Sequence, residues 1–286
     1  MKKTKNEDED EENTPDAESS WTLLKTALPS RYFEPSVKAE TPSIALILTG
    51  LGLNKALTDR VLETFKGKIT LAFSPYSSNL NDQLQRATSL GYHTLISLPM
   101  EPDSYPNPDP GPYTVLTGVN ATENIKKTKA VLEKTSKGSD IIGDYGSQFT
   151  TSPKDLEPVL TEIKNHGSLF IDPNTTIHSQ VQNTCKALDM KCPQVDLTLP
   201  VAANSTERDE FFKKIIPIAK ENGIIIISVP AIPTFVDHLI EWIDTLDTNG
   251  INFVTIAGIK APEHSLDTSK KQGIIDANRQ DSHQPR

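Results

Sequence analysis

From Ser43 to about Ile259, short apolar runs alternate with longer stretches of 3.6-residue period, and this alternation sets the expected fold. Ile44 to Leu48 is a continuous apolar run that stops at Thr49-Gly50-Leu51-Gly52, the pattern of a strand buried on both faces feeding a tight turn. Similar runs predict strands at Ile69 to Phe73, Thr94 to Leu98, Asp140 to Gly143, Ser168 to Ile171, about Val195 to Leu199, Ile224 to Val229 and Asn252 to Ile256. Helical periodicity fills the intervals at Lys55 to Phe65, Asn81 to Leu90, Ala121 to Lys134, Pro153 to Asn165, Ser179 to Leu188, Glu207 to Asn222 and Thr234 to Leu246. Thr122 is the expected N-cap of the third helix. Seven or eight successive βα units predict a single α/β domain with a parallel sheet. Gly50-Leu51-Gly52 lacks the third glycine of a dinucleotide fingerprint, so a closed (β/α)7–8 barrel is preferred to an open doubly wound sheet.

The domain is expected over residues 42–261, after an acidic, disordered leader or linker at 1–41 and before a flexible polar tail at 262–286. The leader carries Glu7-Asp8-Glu9-Asp10-Glu11-Glu12, a self-repelling block. Net charge is −9 and the sequence pI is near 5.2, with no basic stripe interleaved with aromatics, so nucleic acid is not an expected partner. There is no apolar run long enough to cross a bilayer and no secretory h-region, so the chain as written reads as cytoplasmic. Cys185 and Cys192 lack zinc-ligand spacing and are read as free, semi-buried thiols; a disulfide across the short loop is the alternative in an oxidising compartment.

A barrel of this kind gathers its site from residues just past each strand. Those positions are Thr49, Gly50, Ser74, Tyr76, Ser97, Glu101, Asp144, Tyr145, Ser147, Asp172, Thr198 and Ser228, rich in hydroxyls and without histidine. The segment after the third strand, Leu98-Pro99-Met100-Glu101-Pro102 with Tyr105-Pro106 and Asp109-Pro110-Gly111-Pro112, is too rich in proline to continue a strand or enter a helix. It reads as a shaped loop with Glu101 as its one buried charge. The chemistry candidates are Glu101, Asp144 and Asp172, which as a converging set would bind a hard cation, act as an acid/base pair or take hydrogen bonds from sugar hydroxyls. Asp172 also suits a cap on the turn that follows it. His93, His166, His178, His238, His264 and His283 fall at strand starts, helices, turns or the tail, and no Gly-x-Ser-x-Gly elbow occurs.

Taken in order, Thr49-Gly50-Leu51-Gly52, Leu71-Ala72-Phe73-Ser74-Pro75-Tyr76, Leu98-Pro99-Met100-Glu101-Pro102 and Tyr145-Gly146-Ser147-Gln148-Phe149-Thr150 resemble the divergent polysaccharide deacetylase family. The resemblance runs from about Ile44 to Ile259. It implies a distorted (β/α) barrel of the glycoside hydrolase/deacetylase type and a cell-envelope carbohydrate setting. Metal-dependent relatives carry Asp-Asp where this chain has Thr49 and Gly50, and a histidine where it has Ser97. Their Asn-His is Gly143-Asp144 here, and their Gly-His-Pro is Ser228-Val229-Pro230. The substitutions resemble an alphaproteobacterial-type branch. They imply that the family's metal site is lost, so no metal or other cofactor is expected.

The favoured expectation is therefore a catalytically degenerate domain that binds glycan or peptidoglycan fragments, or a protein partner, through the old cleft. Tyr76, Tyr105, Tyr113 and Tyr145 would stack on sugar faces. The alternative is a hydrolase or esterase with a rebuilt carboxylate site, which would admit a divalent cation; a structural scaffold is the third. Relatives usually carry an export or anchor segment, so the resemblance implies a periplasmic setting if the start is shortened.

Overall fold

The computed structural model describes residues 41–134, 140–243, 245–246 and 249–256. The acidic leader and the polar tail lie outside the described residues. Among the described residues eight strands and seven α-helices alternate: β1 (Ser43–Leu51), α1 (Lys55–Thr64), β2 (Thr70–Phe73), α2 (Leu80–Ser89), β3 (His93–Met100), α3 (Ala121–Leu132), β4 (Asp140–Tyr145), α4 (Pro153–His166), β5 (Phe170–Ile171), α5 (Val181–Ala187), β6 (Leu197–Thr198), α6 (Ser205–Asn222), β7 (Ile224–Pro230), α7 (Pro233–Ile243) and β8 (Asn252–Val254). All pairings are parallel, in the order β5-β4-β3-β2-β1-β7-β6. β8 pairs with Ser43–Ala45 of β1, below the point where β2 begins its own pairing at Ile47.

The sheet curls until its ends meet. A single parallel bridge joins Asp172, just past β5, to Gln194, just before β6. Asp172 N–H donates to the Pro193 carbonyl at 2.8 Å and Val195 N–H to the Asp172 carbonyl at 2.9 Å. The expected (β/α) barrel is thus present, distorted where its shortest strands face each other.

Alternation along the strands divides the core into two layers. Ala45, Ile47, Ala72, Leu95, Ile142, Ile171, Val195 and Ile226 fill the barrel interior. Their neighbours, among them Ile44, Leu46, Leu48, Leu71, Phe73, Ile96, Leu98, Ile141, Phe170, Ile225, Ile227 and Val229, face the helix layer. This is why the strands read as unbroken apolar runs: both faces are covered.

Four local expectations are corrected. β3 continues through Pro99 and Met100, because the Pro99 carbonyl accepts from Val115 N–H on the side where β2 has ended, so no ladder partner misses the proline's absent donor. β5 and β6 shrink to two residues each, since their apolar flanks lack ladder partners. The α3 cap is Asn120, whose side chain accepts from Thr122 N–H at 2.9 Å. Cys185 and Cys192 are buried, 2% and 8% exposed, and form a disulfide, since the turn after α5 brings their Cα atoms to 6.3 Å.

Candidate functional site

The interior parity of the strands carries upward to the mouth. Thr49 follows Ala45 and Ile47; Ser74 follows Ala72; Ser97 follows Leu95; Asp144 follows Ile142; Ser228 follows Ile226. All five are therefore at inward positions at the C-terminal end of the barrel. Ser74, Ser97 and Ser228 are buried, while Thr49 is half-buried and Gly50 is exposed. The Thr49 hydroxyl donates to the Val229 carbonyl at 3.4 Å.

Asp144 is the carboxylate aimed into this mouth. Solvent reaches it through the opening while the barrel wall surrounds it elsewhere, and this loss of hydration pushes its pKa up to about 6, opposed by the Tyr145 backbone N–H. Backbone geometry sets its direction. Gly143 lies so close to Pro173 that an added Cβ would sit 2.8 Å from the proline ring. Tyr145 has φ +61°, an outlier for an aromatic residue, held by Gly146 and by the Thr175 hydroxyl, which donates to the Tyr145 carbonyl at 3.1 Å. The Tyr145 ring is 44% exposed.

The other two candidates are tied into the frame. Glu101 Oε2 accepts from the Thr117 hydroxyl at 2.7 Å and from the Thr117 backbone N–H. Its carbonyl accepts from Gln148 and Phe149 N–H, and its own N–H donates to Val115. Glu101 therefore fastens the long loop after β3 to the loop after β4. Asp172 is 0% exposed. Its Oδ1 accepts from Asn174 N–H at 2.9 Å, and its Oδ2 from Gln182 at 3.2 Å and Gln194 at 3.4 Å. Burial pushes its pKa upward, against those hydrogen bonds. Glu101 and Asp172 thus spend their carboxylates on neighbouring loop groups.

Tyr76 and Tyr113 stack with ring centroids 5.3 Å apart, and the Tyr76 hydroxyl accepts from Tyr113 N–H at 3.1 Å. Burial pushes the Tyr76 phenol above its ordinary range, and the charges of Asp109 and Asp144 act the same way. Lys134 stands 5.1 Å from the Tyr113 ring centre, so that ring already has two partners. Tyr105 is half-buried beside the cis bond to Pro106. The Ser147 hydroxyl receives the Asp103 N–H at 2.9 Å and binds the Asp103 carboxylate, a rim contact.

Residue chemistry alone did not single out Thr117, Gln182 or Gln194, whose roles appear only once their carboxylate partners are placed. It also missed Asp196, whose Oδ2 accepts from Ile226 N–H at 2.7 Å and whose pKa burial pushes up to about 6. Asp196 precedes its strand, outside the positions a barrel reading collects. A cavity of about 340 Å³ lined by Phe212, His238 and Trp242 lies between α6 and α7, away from the mouth. Among the described residues no three His, Cys, Asp or Glu side chains are grouped as a metal site would need.

The model of the divergent polysaccharide deacetylase family matches residues 46–259. The chain belongs to that family. Among solved structures, the chain is similar to an uncharacterized protein of Agrobacterium tumefaciens C58, at 24% identity and a TM-score of 0.73, over 83% of this chain and 94% of that one. It is also similar to a protein of Enterococcus faecalis V583 provisionally named for cellobiose-phosphate cleavage, at 13% identity and a TM-score of 0.52, over 77% of this chain and 100% of that one. Both likenesses show the fold. No curated protein matches the chain. In this member of the divergent polysaccharide deacetylase family, Thr49, Ser97, Asp144 and Ser228 stand at inward positions at the strand C-termini.

Proposed function

We propose that this divergent polysaccharide deacetylase is a catalytically degenerate carbohydrate-binding domain, taking a glycan or peptidoglycan-type fragment at the C-terminal mouth of its barrel. The observation that carries the reading is the fate of the carboxylates: Glu101 and Asp172 hold loops together, leaving Asp144 with the four hydroxyls of Thr49, Ser74, Ser97 and Ser228 at the inward positions. Zinc sites draw about three imidazole, thiolate or carboxylate ligands, and this donor set offers one. It suits hydroxyl recognition better. Asp144 accepts hydrogen bonds from sugar hydroxyls, Ser97 and Ser228 both donate and accept, and the exposed Tyr145 ring offers a face to sugar C–H groups. A strained backbone that presents an aromatic ring costs on the order of 1–3 kcal/mol, which supports a ligand role for Tyr145.

Calorimetric titration with chitin-type and peptidoglycan-type oligosaccharides, together with elemental analysis of protein purified without chelator, tests this. Saturable binding that weakens about tenfold in Tyr145→Ala, a loss of about 1.4 kcal/mol, is expected. Near-stoichiometric metal that disappears in Asp144→Asn, with acetate released from the oligosaccharides, would instead establish the rebuilt hydrolase.

A further inference from the structure

The cavity of about 340 Å³ between α6 and α7 is a groove cut along two helices. Its walls are positions 209, 212, 213 and 216 of α6 and positions 238, 241 and 242 of α7, with 245 just past its end. The α6 set has the i, i+3, i+4, i+7 spacing of one helix face, and the α7 set follows the same steps, so the groove has the form that receives a further helix. Its floor is apolar. Phe212 stacks on His238 with ring centroids 5.0 Å apart and lies 4.7 Å from the Trp242 ring, while Ile216 is half-buried. Trp242 is 8% exposed, and its buried indole N–H has no acceptor among the described residues. Buried donors are nearly always paired, so this floor is short of one acceptor. The rim carries Asp209, Glu241 and Lys213, with Asp209 3.5 Å from His238 Nδ1.

One segment of the chain outside the described residues matches these needs. From Lys2 to Ser20 the sequence has no Val, Ile, Leu, Phe, Tyr or Trp, and Trp21-Thr22-Leu23-Leu24-Lys25-Thr26-Ala27-Leu28 then brings four of them. Trp21, Leu24 and Leu28 fall at i, i+3 and i+7, one helical stripe, with Ser20 as a start signal before it and Pro29 as a stop after it. Seven helical steps span about 10 Å, the same as the seven from 209 to 216. Pro29 has no N–H, so in a helix the Lys25 carbonyl lacks its usual donor; the segment has a spare acceptor for a groove with a spare donor. Lys25 is also its one charge, set against a rim of two acids and one lysine.

The chain enters the barrel beside this groove. The Pro42 carbonyl accepts the Asn252 N–H at 2.9 Å, and the next residue, Phe253, meets Trp242 edge-on with ring centroids 6.4 Å apart. Thirteen positions separate Leu28 from Thr41, which gives a reach of up to about 45 Å. A tether that short holds the segment near the groove at an effective concentration in the millimolar range. We propose that the α6–α7 groove is the docking site of this chain's own segment from Trp21 to Leu28, which brings the acidic block Glu7 to Glu12 onto this flank of the barrel. The groove shares no residue with the mouth, so the docking stands apart from the glycan reading.

Hydrogen exchange read by mass spectrometry on the full chain tests this. Amides 22–28 are expected to exchange about tenfold more slowly in the parent than in Ile216→Asp, the ratio for ten docked segments to each free one. Leu90→Ser, past the end of α2, is expected to leave them slow. A labelled peptide of residues 18–30, followed by fluorescence anisotropy, is expected to bind the Trp21→Ser/Leu24→Ser/Leu28→Ser variant about tenfold more tightly than the parent, whose groove its own segment fills. That variant leaves the barrel unaltered, so the peptide measurement decides alone if Ile216→Asp lowers the melting temperature. Equal exchange in the parent and a folded Ile216→Asp variant overturns the proposal. So does equal peptide affinity for the parent and the triple variant, or binding to neither. Protection that grows with protein concentration assigns the groove to the segment of a second copy and also overturns it.

Discussion

The two halves of this barrel are held in different ways. On one side, β7, β1 and β3 run for seven, nine and eight residues, and β1 alone makes seven register pairs with β7. On the other, β5 and β6 have two residues each. Side chains do there what ladders do elsewhere: Asp172 gathers Asn174, Gln182 and Gln194, Asp196 caps the Ile226 N–H, and the Cys185–Cys192 disulfide closes the turn that precedes the bridge. A continuous ladder spreads stability over many small contributions, so single losses are tolerated. A patch of side-chain contacts concentrates it.

Replacing the buried staple should therefore produce the largest effect. Asp172→Ala leaves several donors without an acceptor, for an expected loss of about 3–5 kcal/mol. On the long-stranded side, Ile47→Val should cost about 1 kcal/mol. Urea unfolding followed by circular dichroism measures both, and equal midpoints would dissolve the contrast. Next in size is the disulfide. Its cysteines are seven positions apart, and closing so short a loop stabilises by about 2.5 kcal/mol in the chain-entropy model. Thiol titration in denaturant should find no free thiol before reduction, and the Cys185→Ser/Cys192→Ser variant should unfold at lower urea. Titration of two free thiols in the oxidised preparation would remove this strut from the short-stranded side.

A smaller effect is expected at the wall of the mouth. Gly111 has φ +104°, and a Cβ there would lie 2.7 Å from the Tyr76 hydroxyl. Gly111→Ala should cost about 1–3 kcal/mol and displace the Tyr76–Tyr113 stack, seen as a changed near-ultraviolet tyrosine signal. An unchanged signal would show that the loop yields instead. The smallest effect has the opposite sign. Asp144 has its folded pKa raised to about 6, so the folded form binds its proton more tightly than the unfolded form does. Its contribution to stability is then lost as pH rises from about 4 through 6. Asp144→Asn should stabilise the protein at pH 7.5 by about 1 kcal/mol, discounted for solvent at the open mouth, with the gain vanishing below about pH 4. A gain that persists in acid would place its cause outside the carboxylate.

The fold was legible because both strand faces are buried: unbroken apolar runs such as Ile44–Leu48 and Ile224–Val229 mark central strands, and the residues after them mark the mouth. Strand length was less legible. Apolar flanks of β5 and β6 look like strand, but pairing needs a neighbour, and the neighbour is set by curvature that residue types do not encode locally. The carboxylates were visible as Glu101, Asp144 and Asp172, while their engagement depended on Thr117, Gln182 and Gln194, polar residues of the kind found on any surface. Cysteine pairing was equally hidden, because the turn after α5 decides it.

The position of β1 has a consequence for biosynthesis. Among the described residues it is the first strand to be translated, yet Thr49 and its neighbour Val229 are 180 positions apart, and β8 is translated later still. At translation rates of roughly 5–20 residues per second, that edge of β1 waits about 10–40 s for its partner. Throughout that interval the β7-facing edge of Ile44-Ala45-Leu46-Ile47-Leu48 has no ladder partner, which makes this apolar segment the place where shielding during synthesis would matter most.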